Sequence, residues 1–177
     1  MDSKLQLLID HFEIREVIEA YVHAQDRADE KATADVYHPD SRDDHGPLKS
    51  DGFKFAADAT NALLTNWSNC THLLGQSRIK VTGDKAGAET YFHASLTREA
   101  EGKKMLDQMV GRYIDIFERR NGQWRIKDRR CISHWATTNP ITADHLGHLS
   151  FLQSHRSEAD PSYEVLDLKR GLSRITR

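Results

Sequence analysis

The feature that most constrains this chain is a change of hydrophobic period near residue 68. Before it, apolar residues recur at helical spacing: Leu5, Leu8, Ile9 and Phe12, then Ile14, Val17, Ile18, Tyr21 and Val22. The spacing predicts a helix over about 3–29, with a bend placed near Asp10 to Glu13, and a short second helix over about 30–37. The second stops before Pro39, since a proline disfavours helix in the residue preceding it. His38 to Pro47 is polar and turn-rich, and reads as a loop or a short edge strand. Phe53, Phe55, Ala56, Ala59, Leu63, Leu64 and Trp67 predict a third helix from Gly52 to Trp67.

After that the period becomes two. Cys70 to Thr82, Ala86 to Thr97, Met105 to Arg119 and Gln123 to Trp135 read as strands. Gly83-Asp84-Lys85, Glu101-Gly102-Lys103 and Asn121-Gly122 separate them. Asn-Gly between strand-like runs is a strong hairpin signal, because both residues tolerate positive φ. Helices first and an antiparallel meander afterwards imply an α+β layer fold, the helices covering one concave sheet face. From Asn139 the pattern dissolves. His145 to Leu152 reads as a short helix, and the rest of the tail is mostly polar.

The 177 residues suffice for one domain with a sizeable core and no staples. No run approaches the roughly 20 apolar residues of a membrane span, and Met1-Asp2-Ser3-Lys4 does not open a secretory leader. Cys70 and Cys131 have no ligand-like spacing and read as reduced thiols; a cytoplasmic protein is expected. Net charge is −2 with both signs mixed, which argues against nucleic acid as a partner. The 10 histidines are the compositional hint of chemistry.

Three positions stand out. Counted from Ile14 at about 100° per residue, Asp26 falls at about 120°, on the edge of the apolar stripe. It is either a partly buried carboxylate in need of a partner or a solvated residue on a frayed helix end, and Asp29 competes with it. His72 shares a strand face with Leu74 and Gln76, consistent with an apolar pocket wall or with an ordinary satisfied strand residue. Arg129 alternates with Cys131, Ser133 and Trp135, while Trp124 and Ile126 have the opposite parity. The strand therefore changes partners or carries a bulge near Lys127; alternatively Arg129 is exposed beside Asp128. His45, and His145 with His148, are metal ligands by type, but no HExxH, Cys/His quartet or carboxylate loop accompanies them, so no metal is expected. No GxSxG elbow, GxGxxG or phosphate loop is present either.

In this order, Tyr21-Val-His-Ala-Gln-Asp26, Val36-Tyr37-His38-Pro39-Asp40, Asp43-Asp44-His45-Gly46, Thr71-His72-Leu-Leu-Gly75, Ala88-Glu89-Thr90-Tyr91, Gly111-Arg112-Tyr113-x-Asp115 and Asn121-Gly122-x-Trp124-Arg125-Ile126 resemble the SnoaL-like branch of the nuclear transport factor 2-like superfamily. The resemblance covers about residues 5–137. It implies a cone-shaped α+β fold, a curved antiparallel or mixed sheet packed with N-terminal helices, also described as cystatin-like. Residues 1–138 would form the catalytic domain and 139–177 an extension serving oligomer contacts or covering the pocket. Members it is similar to include hexachlorocyclohexane dehydrochlorinase, scytalone dehydratase, bile-acid 7α-dehydratase and diarylpropane-deformylating lyases.

What the resemblance implies for activity is a cofactor-independent lyase on a small hydrophobic, aromatic or alicyclic substrate. It would eliminate water or HX, or lose formaldehyde by a retro-aldol step. His72 and Asp26 take the positions of the family's Asp–His dyad, His72 as general base and Asp26 holding its other ring nitrogen. Tyr21 and Arg129 would be the donors toward a departing group, and His45, Tyr91 and Trp135 would line the substrate. A homodimer or homotrimer is implied as well. The alternatives are an isomerase or cyclase on the same scaffold, and a binding or assembly module without turnover.

Overall fold

The N-terminal periodicity folds as one helix, α1 (Ser3–Asp26), in the computed structural model, which describes residues 3–143 and 149–169. Ile14, Val17, Ile18 and Tyr21 are buried, whereas Leu5, Leu8 and Phe12 stay exposed. Near that first half the buried residue is Asp10, which accepts from Arg119 Nη1 at 2.5 Å and from Trp124 Nε1 at 3.3 Å. Those contacts pin the helix to the Asn121-Gly122 hairpin. The helix ends at Asp26, short of the expected 29, because Ala28 takes a φ of 48° and Asp29 caps the next helix. That helix is α2 (Glu30–Asp35). Asp51 likewise caps α3 (Gly52–Asn66), accepting from the Phe53 and Lys54 amides at 3.0 and 2.9 Å.

The strands are β1 (Tyr37–His45), β2 (Leu48–Ser50), β3 (Asn69–Thr82), β4 (Lys85–Ala100), β5 (Lys103–Arg120) and β6 (Gln123–Pro140). They form one curved mixed sheet in the order β2-β1-β6-β5-β4-β3. The β3–β6 meander is antiparallel throughout, and its turns carry the positive φ that their sequences favour, 54° at Asn121 and 78° at Gly122. The expectation for residues 38–47 needs correcting. β1 is paired on both sides, antiparallel to β2 and parallel to β6, so β2 is the edge. The register shifts between Tyr37 and Arg42, the stretch that contains Pro39, which has no amide hydrogen to give a ladder.

Three further register shifts decide which side chains face the helices. Residues 75 and 76 together oppose Tyr91, Lys127 is extra between the Phe117–Ile126 and Ile116–Asp128 pairs, and His134 is extra between Gly111–Ser133 and Val110–Trp135. Each inverts the alternation downstream of it. The bulge at Lys127 is one of the two ways out of the parity conflict between Ile126 and Arg129. Gly111 lies where the sheet is tightest: a Cβ there would sit 2.3 Å from the Ile132 carbonyl oxygen and 2.9 Å from Phe92 Cζ. Its absence lets Phe92 stack on Tyr113, centroids 4.4 Å apart.

The described part of the tail folds back on its own domain. Residues 149–152 are not helical, and 145–148 lie outside the described residues. A short helix not expected from sequence, α4 (Pro161–Val165), is capped by Asp160 and buries Tyr163. Arg27 pairs with Asp160 at 3.3 Å, and Tyr163 donates to Asp29 at 3.4 Å. Arg156 donates to the Leu63 and Trp67 carbonyls, both at 2.9 Å, at the end of α3.

Candidate active site

Asp26 and His72 come from the end of α1 and the start of β3, 46 residues apart in the chain. His72 Nδ1 lies 2.7 Å from Asp26 Oδ1, and the His72 amide donates to Oδ2 at 3.1 Å. Two contacts from one residue fix the plane of the carboxylate. Because a carboxylate only accepts, the shared proton belongs on Nδ1 and Nε2 is left as the basic nitrogen. Both side chains keep slight exposure, 12% and 15%, so a small molecule can approach them. Asp29 is excluded from this role by its work as cap and as acceptor for Tyr163. Cys70 lies on the same strand face, its Sγ 3.7 Å from His72 Nδ1. Burial and the Asp26 charge push its thiol well above the ordinary range, so it stays protonated.

Tyr21, one and a half turns before Asp26, is buried between aromatic rings. It meets Tyr113 edge-on at 5.6 Å, and its hydroxyl lies 3.3 Å from His45 Nε2. Burial pushes its pKa well above 10, with Arg129 opposing, so Tyr21 is a hydrogen-bond donor at any ordinary pH. Arg129 is wholly buried, as is Asp115, which it meets through Nε and Nη2 at 2.7 Å each. Its guanidinium lies 4.2 Å from the centroids of both Tyr21 and Tyr113. Burial works against that charge; Asp115 outweighs it and keeps Arg129 protonated.

Of the expected site residues, Asp26, His72, Tyr21 and His45 converge on the Phe92–Tyr113 stack. His72 is 6.3 Å from Phe92, and His45 is 5.9 Å from Tyr113. Arg129 lies against Tyr21 with no side-chain exposure, its Nε and Nη2 held by Asp115 and its Nη1 without a hydrogen-bond partner among the described residues. Two expectations, for Tyr91 and Trp135, are corrected. Tyr91 alternates with the core-facing Thr90 and Phe92 and lies on the other face of the sheet, against His134 at 5.6 Å. Trp135 shares that outer face with His93, 6.1 Å away, because the His134 bulge takes it off the parity of Arg129, Cys131 and Ser133. The residues that sequence reasoning passed over are Asp43, Tyr113 and Asp115. Asp43-x-His45 and Tyr113-x-Asp115 both have one-face spacing on a strand, which is the signal that could have found them.

As metal donors, Asp26, Cys70 and His72 offer atoms within 4.8 Å of one another. Within that group His72 Nδ1 is hydrogen-bonded to Asp26 Oδ1 at 2.7 Å. His145 and His148 lie outside the described residues.

Residues 6–130 match the SnoaL-like domain. The chain belongs to the SnoaL-like family. No curated protein matches it. Among solved structures it is similar to a type 2 hexachlorocyclohexane dehydrochlorinase, with TM-score 0.70 and 19% identity over 84% of this chain and 100% of that one. A type 3 form from Novosphingobium barchaimii gives 0.69 and 19%, over 85% and 99%. A scytalone dehydratase-like protein from Novosphingobium aromaticivorans gives 0.65 and 19%, over 78% and 97%. At these identities the likeness carries the fold. Among the described residues, no helix is long and apolar enough to cross a membrane.

Proposed function

We propose that this SnoaL-like protein is a cofactor-independent lyase that eliminates water or HX from a small aromatic or alicyclic substrate, or releases formaldehyde from it by retro-aldol cleavage. The observation that carries the reading is the 2.7 Å pair of Asp26 and His72, part-exposed at the rim of an aromatic cluster. His72 Nε2 takes a proton from the substrate. Asp26 holds the tautomer and stabilises the imidazolium as it forms, a contribution of about 10²–10⁴-fold for a positioned base. Tyr21 supplies the O–H toward the departing group, and Arg129, its guanidinium 4.2 Å from the Tyr21 ring, favours the charge that develops there. Phe92 and Tyr113 provide the wall, with His45 behind the Tyr21 hydroxyl.

The test is a screen of aromatic β-hydroxy ketones, alcohols and diols with dialysed, exhaustively chelated protein, each run beside His72→Ala. Turnover that survives chelation and disappears in the variant is expected. Turnover that needs one divalent metal, or that His72→Ala retains, overturns the reading. We further propose a homodimer or homotrimer in the cytoplasm, checked by light scattering. Since residues 156–163 dock on their own domain, the tail serves there as a cover beside Asp26.

A further inference from the structure

Across the aromatic cluster from Asp26 and His72, the same two residue types recur. Asp43 and His45 are neighbours on one face of β1, and His45 Nδ1 forms a very short contact with Asp43 Oδ1. Tyr37 donates to the other carboxylate oxygen at 2.6 Å, so Asp43 has a partner on each oxygen. The Asp43 side chain is wholly buried, and His45 keeps 18% exposure. Phe55 from α3 stacks on the imidazole, centroids 4.4 Å apart and planes at 22°. This leaves Nε2 as the nitrogen that exchanges a proton, and the Tyr21 hydroxyl is 3.3 Å from it.

We infer that Asp43 and His45 form a proton supply behind Tyr21, and that the site is therefore built for substrates whose leaving group is a hydroxyl or alkoxyl oxygen. The inference rests on the lyase reading and adds to it the second proton. The step balances as follows. His72 Nε2 takes the proton of the substrate's acidic C–H, and that electron pair becomes the new C=C bond. The C–O bond breaks with its pair on oxygen, which takes the Tyr21 hydroxyl proton and leaves as water or an alcohol. The Tyr21 oxygen takes the Nε2 proton of the His45 imidazolium. His72 gains one proton and His45 loses one; exchange with water restores both.

Hydroxide leaves poorly because its conjugate acid, water, has a pKa of about 15.7, whereas a halide needs no proton. A lone Tyr21 would serve badly as that acid. Its burial strongly disfavours the phenolate, so a donor that refills it at once is what makes it usable. Asp43 balances the imidazolium that carries the proton in. The other charged or titratable groups about His45 are Asp44 on its own strand, Tyr21 on α1 and Tyr113 on β5, with Arg129 on β6 beside Asp43 in register. Asp43 and His45 act through Tyr21, and are positioning residues.

The experiment uses two probes of one skeleton, a β-hydroxy aryl ketone and its β-(para-nitrophenoxy) analogue, both giving the same enone. His45→Gln, which keeps a polar side chain but cannot carry a proton, should lower kcat on the hydroxy ketone by about 10²-fold or more, within the range of general acid catalysis. On the nitrophenoxy ketone the loss should stay under about 10-fold. Asp43→Asn should show the same selectivity, and His72→Ala should lose both reactions. Equal losses on the two probes, or none, overturn the proton supply while leaving His72 as base. Full activity of His72→Ala, or no turnover of either probe by the unaltered protein, overturns the lyase reading itself. Proton NMR of histidine-labelled protein tests the unit without turnover. Two far-downfield ring N–H signals are expected, one lost in His72→Gln and the other in His45→Gln. Absence of the second overturns the inference.

Discussion

The two Asp–His pairs are built from the same chemistry and held in opposite ways. Asp26 and His72 meet across 46 residues, from a helix end to a strand, and both remain part-exposed. Asp43 and His45 are two residues apart on one strand, and their carboxylate is sealed beneath Tyr37. A long-range, accessible pair can vary in geometry with the packing of α1 on β3, and it is open to substrate. A local, sealed pair has its geometry set by the strand itself and couples to the core. The first pair should matter to the reaction, and the second to the reaction and the fold together.

The largest expected effect breaks the comparison at the first pair. His72→Ala should lower kcat by about 10²–10⁴-fold with the circular dichroism spectrum unchanged. Asp26→Asn should lose nearly as much, and the double variant little more, because parts of one unit are not additive. An additive double variant would mean that the two residues act separately.

Next in size is the ion pair on which both halves of the site rest. Asp115→Ala leaves Arg129 charged and unpaired at 0% exposure, and should cost about 3–5 kcal/mol in urea unfolding. Replacing both residues by apolar ones of similar volume should recover much of that. A cost under 1 kcal/mol would show that the tyrosine faces alone can hold the guanidinium.

Between the pairs themselves, the stability contrast should be plain. Asp43→Asn disturbs a buried carboxylate with two partners and should cost about 1–3 kcal/mol, whereas Asp26→Asn should cost under about 1 kcal/mol. Thermal melting of the two variants side by side checks this, and equal shifts would erase the distinction.

The smallest effect concerns the tail, which docks beside Asp26 and not beside Asp43. His23 faces Ser162 and Tyr163 across that seam. Burial, and then the Arg27 charge, hold its pKa below 6.5, with nearby acids opposing. A depressed folded pKa means that docking is fully stable above the unfolded value, about 6.5, and weakens as pH falls through the folded one. Asp160 does not share this window. Burial would raise it, but the Ser162 hydroxyl, the His155 and Ser162 amides and Arg27 hold it at about 2. Limited proteolysis of the tail should therefore quicken below about pH 6, and His23→Gln should abolish the pH dependence. Cleavage that ignores pH in the unaltered chain would place the weak point elsewhere.

Much of the fold was legible because periodicity reports on backbone and burial together. The helix end marked by Pro39, and turns marked by Gly83, Gly102 and Asn121-Gly122, are local steric statements, and they hold. The conflict of parity between Ile126 and Arg129 left a change of partners or a bulge open, and the bulge at Lys127 is what forms. The site was less legible. Asp26 and Asp29 could not be separated by helical angle, since the helix stops between them and Asp29 becomes a cap. Trp135 was placed on the wrong face because a bulge at His134 leaves no mark in the alternation of a strand end so exposed.

The sequence by itself determined the three helices before residue 68, the four-strand meander after it with its hairpins, and the Asp43-x-His45 spacing, because each depends only on residues close in the chain. Tertiary structure alone decided that β1 lies parallel to β6, that Arg129 is buried on Asp115 between two tyrosines, and that His72 finds Asp26 rather than Asp29. The physical reason is that period and propensity are properties of neighbours, whereas charge burial and strand choice depend on which distant surface arrives to exclude water.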